Sequence, residues 1–364
     1  MQIKDIIQFL EHFAPLPYQE SYDNSGLLVG DSSAELSKAL LTLDVTESVI
    51  DEAIASKCNL IIAHHPLIFK GLKSLTGKHW VERCVIKAIK HDIAIYAIHT
   101  NLDNVHLGVN KRICDKIGLS NVQTLSPKSE VLTKLTTFIP PTDSPRVLEA
   151  LYQAGAGEVG NYNHCSFQVD GTGTFRPGEG TNPHIGTQNT DETVVEKRVE
   201  VIFPSFLSGK ILNALQEAHP YEEVAYYLTA LANKNQEVGS GMIGELSQEM
   251  DTRDFLLKLK ETFKSGCVRH TNVHQEKVRK IAVCGGAGSF LLQKAIRAKA
   301  DVFITGDFKY HDFFEADERV IVADIGHFES EQYTKDLLFD ILSEKFTNIA
   351  LRLSEVQTNP INYL

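Results

Sequence analysis

Five side chains that can bind metal ions come directly after apolar runs of the sequence. His64 and His65 follow the run LIIA at 60–63, and Pro66 stops that run. The run is short and rich in β-branched residues, which favours a strand over a helix. Polar side chains at strand ends lie where open α/β sheets bind their ligands. The full candidate set is His64, His65, Asp103, His327 and Glu331.

Three imidazoles and two carboxylates predict mixed nitrogen and oxygen ligation of metal ions. His327 and Glu331 are four residues apart at the start of a predicted helix, so they share one face. Successive strand residues point to opposite faces, so His64 and His65 serve one cluster only if the strand ends there or if they bind different ions. Mixed ligation of this kind suits Zn, Fe, Mn, Ni or Co.

The size of the set favours two divalent ions and hydrolysis. Five ligands suffice for two ions if Asp103 and Glu331 each bridge them. No thiolate is near, which argues against a closed structural zinc site. Open positions leave room for water, and a water between two ions is acidified toward hydroxide.

Each ligand taken alone has an ordinary structural interpretation. Asp103 is typical of a turn, Glu331 of a solvated first helical turn, and His327 of a polar strand end. The metal hypothesis is favoured because all five are predicted to lie on one edge of the sheet.

A second group of polar residues also follows predicted strands: Asp44, His99, Asp307, Lys309 and His311. These side chains are expected to orient the ligands or to contact substrate, or else to be helix caps and surface charges. The glycine-rich loop at 285–288 offers backbone N–H groups to an anion. It lacks the full dinucleotide fingerprint and the P-loop Lys-Ser/Thr, so alone it indicates a tight turn.

Alternating strands and helices predict an α/β domain with a mainly parallel sheet, formed by residues 1–125 and 234–364. This domain contains an internal repeat, in which residues 54–65 match 296–307 in pattern. Within the repeat Asp44 corresponds to 285–286, and 99–103 corresponds to 327–331. Two like halves that face each other would bring several strand ends into one crevice.

The middle segment, 126–233, is predicted to be an inserted domain. Its βαββαβ order is the ferredoxin-like α+β pattern. The stretch from Gly171 to Asp191 has little periodicity and is expected to be a long mobile or functional loop. Residues 233–244 are expected to be the return linker, and one long helix is expected from the start of the His327 segment to about Phe346.

Composition limits the classes of function. A chain of 364 residues with 43% hydrophobic and 23% charged residues is expected to form two globular domains. The net charge of -11 makes nucleic acid an unlikely partner, and no apolar run is long enough to span a membrane. Six cysteines without a C-x-x-C pair favour reduced thiols and a cytoplasmic location.

Five segments carry a resemblance to a known family: DNSGL at 23–27, AHHP at 63–66, HTNLD at 99–103, TGDFKYH at 305–311 and GHFESE at 326–331. With them the chain resembles the NGG-interacting-factor-three-like family, whose members include GTP cyclohydrolase 1 type 2 homologs. Ser25 departs from the pattern, since many members have valine or a similar residue there. The resemblance implies a dinuclear metal site at the five ligand positions. It also implies a ring-shaped homohexamer and a PII-like or CutA-like insert of the long bacterial form.

Two functions are expected from these observations. The first is a dinuclear-metal-dependent hydrolase in which a metal-bound hydroxide attacks a purine nucleotide or a related small molecule, with the insert gating access. The reaction that the resemblance implies is opening of the GTP purine ring, with His99 or His311 protonating the leaving nitrogen. The alternative is a non-enzymatic, metal-binding regulatory or scaffold hexamer, because PII-like folds commonly serve as sensors.

Overall fold

The computed structural model describes residues 1–364, whose contacts divide into two compact units. The large unit comprises Met1–Pro127 and Gln236–Leu364, and the insert unit comprises Lys128–Asn235. No helix combines the length and the apolar composition that crossing a membrane requires. All six cysteines are free thiols, and four of them are buried.

The strands are β1 (Gly26–Val29), β2 (Ala39–Thr42), β3 (Leu60–Ala63), β4 (Ala94–Ala97), β5 (Leu119–Lys128), β6 (Leu132–Ile139), β7 (Phe167–Phe175), β8 (Glu192–Pro204), β9 (Tyr226–Leu231), β10 (Asn235–Asp251), β11 (Arg269–His270), β12 (Lys277–Ala287), β13 (Val302–Gly306), β14 (Ile321–Asp324) and β15 (Leu351–Leu353).

The α-helices are α1 (Ile3–Phe13), α2 (Glu47–Ala55), α3 (Trp80–Lys90), α4 (Thr100–Asn104), α5 (Val109–Ile117), α6 (Ser144–Gln153), α7 (Ser208–Ala218), α8 (Thr252–Thr262), α9 (Leu292–Arg297), α10 (His327–Glu331) and α11 (Thr334–Lys345). Short 3₁₀ turns occur at Leu16–Tyr18, Ser205–Leu207, Ser289–Leu291 and Tyr310–Ala316.

The large unit contains two sheets with the same parallel centre. The first sheet has the order β1-β4-β3-β2-β15, in which only β1 is antiparallel to its neighbour. The second has the order β11-β14-β13-β12-β10-β5, with β14, β13 and β12 parallel. Strands β2, β3 and β4 therefore correspond to β12, β13 and β14. The predicted mainly parallel α/β class with duplicated βα units is confirmed.

The strand register brings the functional segments to one level. Thr42 pairs with Ala63, and Ala63 pairs with Ala97, so the residues after all three strands leave the first sheet together. In the second sheet Thr305 pairs with Asp324. The polar side chains that follow these strands therefore emerge at a common edge, as carboxyl ends of parallel strands do.

Burial on both faces explains why the central strands are apolar throughout. In β3, Leu60 and Ile62 belong to the core that both sheets share with α1, α5, α8 and α11. Ile61 points the other way and packs with α2 and α3. In the second sheet Phe303 packs on the outer side, toward α9. This alternation, with period two, fixes which strand residues face inward.

Local signals place the helix starts. The Thr46 hydroxyl accepts a hydrogen bond from the N–H of Val49 at the start of α2. The Asp251 carboxylate accepts from the N–H groups of Arg253 and Asp254 at the start of α8. Both are N-caps of the expected type.

The insert unit is a four-stranded antiparallel sheet with the order β7-β8-β6-β9. Helices α6 and α7 cover one face, over a core that includes Leu135, Val201 and Leu215. In chain order this is βαββαβ, and the spatial order is that of the ferredoxin-like fold.

Three expectations about local structure are wrong, and two elements have no counterpart among the predicted ones. Gly171–Phe175 is the second half of β7 and not a loop, because each of its residues pairs with a residue of β8. Residues 235–251 form β10 and not a linker. The C-terminal helix is broken into α10 and α11 by a turn at Gln332–Tyr333. Strand β5 and helix α5 were not anticipated.

Candidate metal centre

The end of β3 presents two imidazoles to one point. β3 ends at Ala63, so His64 and His65 are released from strict alternation. Their rings are 4.9 Å apart, centroid to centroid. Their backbone N–H groups still donate to the carbonyls of Thr42 and Leu43, which holds the segment in place.

Two five-residue helices supply the carboxylates. Asp103 lies on α4, which follows β4, and Glu331 lies on α10, which follows β14. Glu331 is 3% exposed, and its carboxylate lies 3.0 Å from Nε2 of His65 and 3.1 Å from Nε2 of His327. The α10 geometry explains the second contact, because residues four apart share a helix face.

Each imidazole is fixed by a partner on its Nδ1 atom. His64 Nδ1–H donates to the carbonyl of Ile98 at 2.9 Å, and a carbonyl can only accept. Carboxylates perform this task for the other three imidazoles: Asp44 on His65 at 2.7 Å, Asp307 on His327 at 2.8 Å and Asp23 on His99 at 2.7 Å. Such partners fix the tautomer and leave Nε2 as a ligand atom.

Two buried polar atoms in the cluster have no hydrogen-bond partner. They are Nε2 of His64 and Oδ1 of Asp103, which lie 3.6 Å apart. Leaving such atoms unpaired costs about 1–3 kcal/mol each. A cation between them would satisfy both, so the donor set fits a metal ion.

The donor atoms fall into three overlapping groups in which all ligand atoms lie within 4.8 Å of one another. They are His64–Asp103–Glu331, His65–His327–Glu331 and His64–His65–His99. The first two groups share Glu331. The structure thus brings together all five predicted ligands and adds His99 beside them.

The ionisation of the cluster reflects burial and crowding of charge. Burial, with the nearby charge of Glu331, raises the pKa of Asp103 to about 8. Burial alone would lower the pKa of His65, but its bonds to Asp44 and Glu331 raise it to about 9. Likewise, Glu331 and Asp307 outweigh burial and raise the pKa of His327 to about 11. Burial opposes ionisation of Glu331, yet the imidazoles hold its pKa well below the usual value. A divalent ion that binds here must displace protons from these groups.

The remaining predicted residues divide into two sets. Asp44, His99 and Asp307 contact the cluster directly. Asp307 does so from a left-handed backbone conformation, with φ of 54°, which a short polar residue tolerates. His311 and Lys309 are exposed on the surface, and the His311 ring contacts Tyr310 and Phe314 instead.

The glycine-rich loop at 285–288 does not cradle an anion. Three of its four N–H groups are already used: Gly285 donates to Asn110, Gly286 to Ser330 and Gly288 to Thr305. Its role is to leave space. A Cβ atom at Gly286, whose φ is +62°, would collide with the Glu331 carboxylate.

Three supporting residues were missed at the level of sequence. Asn110 is 2% exposed and links the carbonyl of Asp103 to the N–H of Gly285. Ser330 accepts from Gly286 and donates to the carbonyl of His327. The hydroxyl of Thr358, in the C-terminal segment, donates to Asp44 at 2.6 Å. Nothing in their spacing relates them to the ligands, so only tertiary structure reveals them.

The duplicated parallel sheets, with a histidine–carboxylate cluster at their strand ends, place the chain among α/β proteins with a candidate metal site. The family model for Duf34/NIF3 (NGG1p interacting factor 3) matches residues 1–360. The chain therefore belongs to the Duf34/NIF3 family, and the resemblance predicted from the sequence is confirmed.

Relatives and solved structures agree with this membership. The chain is 40% identical over 364 residues to a Halalkalibacterium halodurans protein named GTP cyclohydrolase 1 type 2 homolog, covering 99% of this chain and 98% of the relative. A Bacillus subtilis protein of the same name is 38% identical over 367 residues, covering 99% and 98%. The crystal structure of a Bacillus cereus protein related to NIF3 matches with a TM-score of 0.86 and 38% identity, covering 100% of this chain and 99% of the other.

Proposed function

We propose that this protein is a dinuclear-metal-dependent hydrolase acting on a purine nucleotide or a related small molecule. The observation that carries the proposal is that two buried atoms, Nε2 of His64 and Oδ1 of Asp103, lack hydrogen-bond partners. They lie in a cluster of imidazoles whose Nδ1 atoms are all held by hydrogen bonds. The ligands would be His64, His65, Asp103, His327 and Glu331. When bound there, two divalent ions supply Lewis acidity and lower the pKa of a bound water toward neutrality.

Other side chains of the protein would orient the ligands and transfer a proton. Asp44 and Asp307 orient His65 and His327 and keep the proton on Nδ1 of each ring. Hydrolysis of a carbon–nitrogen bond puts the oxygen of water on carbon and a proton on the leaving nitrogen. His99 suits the transfer of that proton, because Asp23 holds its Nδ1–H and its ring lies 5.2 Å from that of His64.

An aromatic pair next to His99 supports a nucleobase as part of the substrate. The Phe69 ring lies 6.3 Å from that of His99 and 6.3 Å from that of Tyr22. Phe69 is 44% exposed and Tyr22 is 63% exposed. Exposed aromatic rings of this kind stack on bases for about 1–3 kcal/mol each. The names of the relatives, GTP cyclohydrolase 1 type 2 homolog, point to GTP as the first substrate to test.

The test is turnover of GTP by purified, metal-loaded protein, followed by chromatography of the ring-opened formamido nucleotide. Formate is assayed as well, as the product of a second hydrolysis of that formamide. Wild type is expected to open the ring, and His65→Ala is expected to lose that activity. His274→Ala is the matched control, because His274 is an exposed histidine outside the cluster. Equal rates in wild type and His65→Ala would contradict the proposal.

The aromatic pair can be tested separately. Phe69→Leu removes a stacking ring without touching a ligand, so KM for the nucleotide is expected to rise about tenfold or more while metal content stays unchanged. An unchanged KM would remove the base-stacking argument.

The same experiments distinguish the alternative, a metal-binding regulatory or scaffold hexamer. That function requires metal-dependent assembly, measured by light scattering, together with no turnover of any nucleotide offered. Turnover that depends on His65 would exclude it as the sole role.

A further inference from the structure

The insert unit contains a cavity of about 600 Å³. Strands β7, β8 and β9 and the connection after β7 line it, and four aromatic side chains form much of its wall: Phe138, Phe175, Tyr221 and Tyr227. Its volume lies within the roughly 300–1,000 Å³ range of small-molecule sites.

The carboxylate of Glu196 lies in this cavity and is only 8% exposed. Glu196 is on β8, opposite Gly171 of β7. A Cβ atom at Gly173 would overlap the Glu196 carboxylate, so the glycine in the middle of β7 makes room for it. A glycine inside a strand often marks such a close approach.

No cation of the protein neutralises this carboxylate. Both arginines that line the cavity have other partners: Arg176 makes a two-pronged pair with Asp191 at 2.7 and 2.6 Å, and Arg198 pairs with Glu200 at 2.6 Å. Asp170, another acid of the lining, already pairs with Lys197. A buried carboxylate without a counter-charge is costly.

His219, a buried histidine whose ring contacts that of Tyr221, is held neutral. His219 Nδ1 accepts from the N–H of Tyr221 at 3.1 Å, while Nε2–H donates to the carbonyl of Phe138 at 3.0 Å. Burial lowers the pKa of His219, in agreement with this arrangement. It therefore does not provide the missing positive charge.

A second polar group beside Glu196 is also unsatisfied. The Tyr221 hydroxyl is buried and has no hydrogen-bond partner of ordinary geometry. Burial and the adjacent Glu196 carboxylate raise the pKa of Tyr221 above its usual range. The hydroxyl and the carboxylate thus lie next to each other in the cavity lining, where a ligand can contact both.

We propose that this cavity binds an organic cation, an ammonium or amidinium group on an aromatic or apolar body, with Glu196 as its counter-ion. The aromatic wall suits such a ligand, because rings attract a desolvated cation through their faces. The body of the ligand would replace water against Phe138, Phe175 and Tyr227. This site is independent of the proposed hydrolase function, since every lining residue belongs to the insert unit.

The experiment uses the full chain with three matched probes: benzamidinium, neutral benzamide and anionic benzoate. Saturation-transfer NMR and calorimetric titration are expected to show benzamidinium binding at least tenfold tighter than benzamide, with no binding of benzoate. Glu196→Gln is expected to abolish that preference. Glu217→Gln is the control, because Glu217 is an exposed carboxylate on α7 of the same unit and does not line the cavity.

A second variant guards against misfolding of Glu196→Gln. Tyr227 is 62% exposed, so Tyr227→Leu removes one aromatic wall at little risk to the fold. It is expected to weaken benzamidinium several-fold more than benzamide. Equal affinity of the charged and neutral probes for wild type, a preference for benzoate, or no binding at millimolar concentration would each overturn the proposal.

Discussion

The two repeats of the large unit have the same strand order. They differ in the residues that the ends of their first two strands place at the cluster. After β3 the first repeat places His64 and His65, whereas at the corresponding positions the second has Gly306, the last residue of β13, and Asp307. After β2 comes Asp44, which orients His65, whereas β12 ends in glycines that make room for Glu331. At these two strand ends the first repeat supplies candidate ligands, whereas the second supplies space and the orienting carboxylate of Asp307.

The last strands of the two repeats differ much less. In the first repeat His99 precedes α4 and Asp103 lies on it, with the same four-residue spacing as His327 and Glu331 in the second. Each histidine has a carboxylate on Nδ1, Asp23 or Asp307. A symmetric frame therefore carries an asymmetric site, and the asymmetry lies in the middle strands. Four comparisons between variants test this division of roles.

The largest effect is expected from Glu331→Gln. Glu331 approaches Nε2 of His64, His65 and His327, at 3.8, 3.0 and 3.1 Å, whereas Asp103 approaches only His64, at 3.6 Å. We expect Glu331→Gln to reduce metal affinity by more than the roughly 10- to 100-fold typical of lost outer partners, and to exceed Asp103→Asn. Equilibrium dialysis with elemental analysis measures both. Equal losses would show that the two carboxylates are equivalent.

Gly286→Ala tests whether the second repeat supplies space. The new Cβ would collide with the Glu331 carboxylate, so metal binding is expected to fall nearly as far as in Glu331→Gln. Gly118→Ala is the matched control, because Gly118 also has positive φ, +86°, but nothing lies near its Cβ position.

Both glycine variants should lose about 1–2 kcal/mol of unfolding free energy from backbone strain. Only Gly286→Ala should lose metal. Chemical denaturation and dialysis separate these two effects, and metal retained in Gly286→Ala would contradict the space-making role.

Asp44→Asn and Asp307→Asn compare the two orienting carboxylates. Each removes the negative partner of an imidazole Nδ1–H, and we expect roughly 10- to 100-fold loss of metal affinity. The loss should be greater for Asp44, whose side chain is 32% exposed, than for Asp307, at 53%, because solvent screens the more exposed pair. A greater loss in Asp307→Asn would indicate that metal binding depends more on the orientation of His327 than on that of His65.

The smallest effect is expected from Thr358→Val. It removes one hydrogen bond to Asp44, worth about 0.5–1.5 kcal/mol. Metal affinity should therefore fall by about tenfold at most. A loss as large as that of Asp44→Asn would assign the C-terminal segment a more direct role in the site.

The sequence predicted the parts of this molecule that depend on local patterns. The apolar run at 60–63 and similar runs predicted the parallel sheets, because a strand that is buried on both faces has a continuous apolar sequence. The five ligands could be chosen because parallel strands bring their carboxyl ends together.

The failures have physical causes as well. Asn110, Ser330 and Thr358 act through contacts distant in the chain, which no local spacing encodes. His311 follows β13 like a functional residue, but the 3₁₀ turn at Tyr310–Ala316 carries it to the surface. Residues 285–288 resemble an anion loop, yet three of their four N–H groups are satisfied by side chains from other elements.

The most direct test of the proposed dinuclear site is an anomalous-difference map from crystals of the metal-loaded protein. Two peaks per chain are expected within reach of His64, His65, Asp103, His327 and Glu331, with Glu331 adjacent to both. Loss of these peaks in Glu331→Gln, with the fold unchanged, would complete the result. No peak at the cluster in wild type, or full occupancy that survives Glu331→Gln, would contradict it.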